Sequence, residues 1–128
     1  MVARGFWEAL TQNSAQTQEN AEDPRLRGRT YVVPFARVWD EIVSMIESHQ
    51  RWRLIRADEA TGLIHAEATA RVFRFVDDLR VKVKLDSNAL TRVDMWSASR
   101  ARRGDLGSNA RRIARFCREL DRRLGIQS

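Results

Sequence analysis

The stretch from Trp96 to Ile113 gathers the residues best suited to chemistry: Arg100, Arg103, Asp105, Asn109 and Arg112. Ser97-Ala98-Ser99-Arg100 reads as the end of a strand, Gly104-Asp105-Leu106-Gly107 as a polar turn, and Asn109-Ala110-Arg111-Arg112-Ile113 as the start of a helix. Upstream lie two adjacent carboxylates, Asp77 and Asp78. If Leu85 and Thr91 pair across the turn Asp86-Ser87-Asn88-Ala89, Asp78 falls beside Ala98 and Val76 beside Arg100. Both carboxylates then come within reach of Arg100 and Arg103. Two chemistries fit this junction. Forked guanidinium–carboxylate bonds would lock the helix start to the sheet, with Asp105 and Asn109 satisfying exposed amides of the turn. Alternatively, the arginines and the helix N-terminal amides converge on a phosphate or carboxylate ligand. A third use, with Asp77 and Asp78 as acid and base or as metal ligands, lacks a histidine or third carboxylate at a suitable spacing. No catalytic residue, metal or cofactor is assigned, and the reading leans away from an enzyme.

A second candidate is a contact surface made of Trp96 with Arg111, Arg115, Arg118 and Arg122. The four arginines recur at helical spacing, so they share one face of the last helix, opposite its apolar stripe. A basic helix face can track phosphates, but Glu119 and Asp121 interrupt the region and no aromatic residue is interleaved for stacking. Nucleic acid is therefore disfavoured, and a solvated face or a protein contact is expected. Trp96, placed on the outer face of the sheet among Arg80, Lys82 and Arg92, is expected to be exposed, stacking on arginine or marking a contact surface, or else covered by Phe6, Trp7 and Leu10. His49 reads as a helix C-cap favoured by the dipole, His65 as a surface residue and Cys117 as a buried thiol.

The elements that must position these groups follow from hydrophobic period. Phe35, Val38, Trp39, Ile42, Val43, Met45 and Ile46 form one face of a helix opened by Pro34, whose outer face carries Asp40, Glu41 and Glu47. Ile64, Ala66, Ala68, Ala70 and Val72 alternate with polar residues, as do Leu79, Val81, Val83 and Leu85. The alanines there predict a close approach of a helix to the sheet. Ala110, Ile113, Phe116, Cys117, Leu120 and Leu124 form the apolar stripe of the last helix, and Gly125 ends it. The order βαββββα predicts an α+β, two-layer fold: an antiparallel sheet of about five strands with two helices on one face. Residues 29–125 are expected to form this single domain, with residues 1–28 as a partly mobile N-terminal appendage.

Bulk properties leave several classes open. At 128 residues the chain supports one core, and its 23 Lys+Arg against 17 Asp+Glu give a net charge of +6. Much of this is arginine, which also serves structural ion pairs. The single cysteine excludes an internal disulfide, and no run approaches the roughly 20 apolar residues of a membrane span, so a cytoplasmic protein is expected.

The motif Arg71-Val72-Phe73-Arg74-Phe75-Val76-Asp77-Asp78, followed by Ser97-Ala98-Ser99-Arg100 and Arg103-Gly104-Asp105-Leu106-Gly107-Ser108-Asn109-Ala110-Arg111-Arg112-Ile113, resembles the domain of unknown function family 1499. The resemblance spans Arg29 to Leu124 and departs at Arg102, where the family usually has glycine. It implies no activity. The element order is also similar to helix-grip domains, some of which hold apolar ligands between sheet and helix. The leading expectation is a non-enzymatic binding or scaffolding module with an unknown protein partner, or one that self-associates through the acidic and basic helix faces. The alternative is a carrier of a small apolar or anionic ligand, held in the sheet–helix cleft beside Ala66, Ala68 and Ala70 or at the junction.

Overall fold

Period-two alternation builds the sheet, and the 3.6-residue period of two apolar stripes lays helices across one of its faces. The computed structural model describes residues 14–17, 27–69, 76–100 and 106–126. Along them run β1 (Ser14–Gln16), β2 (Arg29–Tyr31), α1 (Phe35–Ser48), β3 (Trp52–Asp58), β4 (Leu63–Thr69), β5 (Val76–Leu85), β6 (Thr91–Ser99) and α2 (Leu106–Arg123). All pairings are antiparallel, in the order β1-β6-β5-β4-β3, with β2 also on β6. β1 lies along Trp96–Ala98 and β2 along Thr91–Val93, so the two share one edge of the sheet. The result is the expected α+β fold with five strand positions.

The sheet begins earlier than the expected boundary at Arg29. Ser14–Gln16 pairs with β6, and Thr17 fixes the end of this segment. Its amide donates to the Met95 carbonyl at 2.8 Å, its hydroxyl accepts the Met95 amide at 2.9 Å, and the same hydroxyl donates to Asp94 at 2.8 Å. A three-residue polar strand has no periodicity of its own; the vacant edge of β6 and these bonds hold it. Phe6, Trp7 and Leu10 lie outside the described residues.

The helix-facing side of the sheet presents Ile64, Ala66, Leu79, Val81, Val83, Val93 and Met95. Against them pack Val38, Ile42, Met45 and Ile46 of α1 and Ile113, Phe116, Cys117 and Leu120 of α2. Backbone geometry fixes the turns. At Gly62, between β3 and β4, φ is +74°, and a Cβ there would sit 2.1 Å from the Val83 carbonyl oxygen, so only glycine fits. α2 closes with two bonds, Gly125 N–H to Arg122 at 3.1 Å and Ile126 N–H to Asp121 at 2.8 Å, around a glycine at φ +75°. Asp121 would be unfavourable at a helix C-terminus. It is buried, however, and accepts the Tyr31 hydroxyl at 2.6 Å and Arg29 Nε at 3.2 Å, tying the helix end to β2.

Candidate functional site

The β5–β6 register is the expected one: Leu85 opposes Thr91, Asp78 opposes Ala98, and Arg100 N–H donates to the Val76 carbonyl. The polar cluster expected at the junction nevertheless divides in two. Neighbouring residues of a strand point to opposite faces, so Asp77 and Asp78 cannot serve one site.

On the helix-facing side, Asp77 pairs with Arg112 at 2.7 Å. Arg112 Nη1 also donates to Ser97 Oγ and to Asn109 Oδ1, both at 3.2 Å. The Ser97 hydroxyl donates to Asn109 Oδ1 at 2.6 Å, and Asn109 Nδ2 donates to Ser99 Oγ at 3.2 Å. Ser97 and Asn109 are fully buried, and Asp77 nearly so. The first turns of α2 are thereby bonded to β5 and β6, with the buried guanidinium matched by a carboxylate. Asn109 binds side chains of the sheet, and the turn residues 101–105 that it is also expected to satisfy lie outside the described residues. Arg103 and Asp105 lie outside the described residues.

On the opposite face, Arg100 forks onto Asp78 at 2.9 and 2.7 Å and also bonds Glu67. His65, expected to be a plain surface residue, is half-buried and contacts Asp78 through Nε2 at 2.8 Å. The network joins β4, β5 and the end of β6. Burial alone would push the Asp78 carboxyl up, but the hydrogen bonds from Arg100 and His65 outweigh it and hold Asp78 below the usual carboxylate range.

Trp96 is buried, not exposed, and the expected stacking on an arginine is present. It is 5 % exposed, with the Arg80 guanidinium 4.8 Å above its ring, and among the described residues its buried indole N–H has no hydrogen-bond partner. The arginine stripe also divides. Arg111, Arg115, Arg118 and Arg122 are all exposed, but Arg122 forks onto Glu119 (Nε 3.0 Å, Nη2 2.7 Å), while Arg111 and Arg115 turn toward a cleft.

That cleft, of about 640 Å³, lies between the C-terminal end of α1, the adjoining ends of β3 and β4, and one side of α2. Met45, Trp52, Ala68 and Phe116 lie behind it, and of these only the half-buried Trp52 presents appreciable apolar surface. The rings of His49, Trp52 and Phe116 form a stack, with centroids 4.4 Å and then 5.9 Å apart. Arg51, Arg111, Arg112, Arg115 and Arg123 line the same space, with Glu119 as the one carboxylate among the described residues that line it. Glu119 is itself bonded to Arg122 and Arg123, and these bonds hold it below the usual range. Arg123 also meets Glu41 at 3.5 Å, so one carboxylate of the acidic face of α1 is engaged within its own chain. Among the described residues Arg51 and Arg115 have no carboxylate partner.

His49 does occupy the C-cap of α1, its N–H donating to Ile46 at 3.3 Å. The expected dipole-favoured cation does not follow. Burial, with the nearby charges of Arg51 and Arg112, lowers its pKa from 6.5, and Nδ1 accepts the Arg51 amide at 3.3 Å. It faces the cleft as a neutral imidazole at pH 7. Three of these residues, Arg51, His49 and Trp52, carry no motif. Only the run His49-Gln50-Arg51-Trp52, basic and aromatic at a helix end, signals them in the sequence. Ala68 was expected beside a sheet–helix cleft and lines this one; Ala70 lies outside the described residues.

Among the described residues no group of His, Cys, Asp and Glu could hold a metal ion, and no helix is long and apolar enough to cross a membrane. The profile of one family, described as protein of unknown function (DUF1499), matches residues 9–120. No curated protein matches the chain.

Proposed function

The chain belongs to this family of unknown function, whose membership carries no activity with it, and we propose on geometry alone that it is a non-enzymatic binding module whose ligand site is the α1–β4–α2 cleft. The carrying observation is the convergence of arginines from β3's approach and from α2 on an open cleft with one carboxylate, already paired. Concave sites of roughly 300–1,000 Å³ with an apolar lining and a few convergent polar groups are the usual seats of small ligands. The junction around Asp77, Asn109 and Arg112 is a structural staple in this reading, because its groups satisfy one another. The network of Asp78, Arg100, Glu67 and His65 is likewise matched internally, and it braces three strands.

Thermal melting of the full chain against a panel of anionic organic compounds tests this. At least one compound should raise the midpoint of the parent and fail to raise that of Arg115→Glu, an exposed substitution that places a carboxylate in the cleft. A panel that shifts neither protein, or both equally, refutes the cleft as the site.

A further inference from the structure

The ring stack beside the cleft has one closed end and one open end. Trp52 lies between His49 and Phe116, tilted 15° from each, with ring centroids 4.4 Å and 5.9 Å away. Phe116 is 1 % exposed and belongs to the core, so it closes the stack from behind. Trp52 is half-buried and has a ring on each face. His49 is exposed, and Trp52 covers one of its faces. What it presents to the cleft is therefore its other face, which no ring covers among the described residues. The imidazole is held in place, since Nδ1 accepts the Arg51 amide at 3.3 Å and the residue caps α1. A fixed ring with an open face is a stacking platform for a second flat ring.

Two cations stand beside this platform. Arg51 and Arg115 are exposed, line the cleft from the segment before β3 and from α2, and have no carboxylate partner among the described residues. The other arginines of the cleft are engaged: Arg112 by Asp77, Arg123 by Glu119 and Glu41, and Arg111 is partnered too. The Arg51 charge helps to lower the His49 pKa, which puts its guanidinium close to the ring. A neutral imidazole supplies a face without charge, so recognition of charge falls to the two arginines. Resting on the reading of the cleft as the ligand site, we infer that it takes a planar aromatic anion: the ring stacks on the open face of His49, and the attached carboxylate or phosphate bonds Arg51 and Arg115. Guanidinium groups suit that bond because they present forked donors to either oxyanion. A saturated ring of the same size and charge would meet the arginines equally and gain nothing from the platform.

Calorimetric titration of the full chain with phenyl phosphate, cyclohexyl phosphate, phenol and inorganic phosphate separates these contributions. Phenyl phosphate should bind about tenfold more tightly than each of the others, as one stacked ring predicts. His49→Ala should weaken phenyl phosphate by about tenfold and leave cyclohexyl phosphate within about twofold, whereas His49→Phe should restore phenyl phosphate to within about twofold of the parent. Arg51→Gln and Arg115→Gln should each weaken both phosphate esters by about tenfold, the loss of one charge-assisted hydrogen bond. Arg118→Gln, exposed on the same helix but away from the cleft, should leave every affinity unchanged. Cyclohexyl phosphate or inorganic phosphate binding as tightly as phenyl phosphate, or indifference of phenyl phosphate to His49→Ala, would overturn the stacking. Phenol binding as tightly as phenyl phosphate, or indifference of phenyl phosphate to either arginine, would overturn the anionic group. Phenyl phosphate failing to bind would overturn the inference, and a hit elsewhere in the wider anionic panel would then leave the cleft standing with a different ligand. Failure of that panel as well would remove the site itself.

Discussion

Asn109→Ala tests whether the strand–helix junction is a staple. Among the described residues the side chain makes three hydrogen bonds: a buried one from Ser97 at 2.6 Å, and two longer ones, from Arg112 and to Ser99, at 3.2 Å each. The short buried bond is worth about 1.5 kcal/mol and the longer ones about 0.5 kcal/mol each. Ser97 is fully buried, so its proton is left without an acceptor when Asn109 is truncated. The expected loss is about 2–3 kcal/mol, which for a chain of this length lowers the melting midpoint by about 7–11 °C. Urea denaturation at pH 7 gives the free energy, and a thermal melt gives the midpoint. The double variant Ser97→Ala/Asn109→Ala should lose about 1 kcal/mol less than the two single losses combined, since each single change already breaks the shared bond. An Asn109→Ala chain as stable as the parent, or more so, refutes the staple. Such a result marks polar groups kept at a cost to stability for the sake of a ligand.

The Asp78 network gives a pH signature. Its folded pKa is depressed from 3.8, so its contribution is complete above about pH 4 and is lost as pH falls through the folded value. The stability difference between the parent and Asp78→Asn should be largest near neutrality and shrink below pH 4; a difference independent of pH contradicts the ion pair. Ala89 sits at φ +60° in the β5–β6 turn, where a Cβ is unfavourable, and Ala89→Gly should raise stability by about 0.5 kcal/mol in urea denaturation, a loss being the contrary result. Cys117 is 1 % exposed and burial pushes its thiol up to about 11, so iodoacetamide at pH 8 should leave the native chain unlabelled and alkylate it in urea, as read by intact mass. Labelling of the native chain would show that the α2 stripe opens readily.

Much of the frame is dictated locally. The apolar period of Val38 to Ile46 and of Ala110 to Leu120 admits only helices with a buried stripe, and both are found. The turn at Asp86–Leu90 is set by its own side chain: Asp86 accepts the amides of Asn88 at 2.8 Å and Leu90 at 3.0 Å. With that turn placed, the register of β5 on β6 follows, and so does the approach of Asp78 to Arg100. Even the separation of Asp77 from Asp78 is contained in the sequence, because adjacent residues in a strand face opposite ways. The two therefore belong to separate networks on opposite faces of the sheet.

Other features depend on contacts far apart in the chain, which no local period encodes. Ser14–Gln16 is a strand because β6 offers unpaired backbone groups at its edge. Trp96 is stacked under a guanidinium because the β5–β6 pairing sets Arg80 directly opposite it. The cleft exists because the loop carrying His49 and Arg51 is folded against Arg111, Arg115 and Phe116, near the other end of the chain. Residue type and spacing determine the elements and their buried faces through side-chain geometry alone. Which charged groups are consumed in ion pairs and which remain around an open space is decided by packing: a carboxylate such as Asp77 neutralises whichever guanidinium the folded layers bring to it.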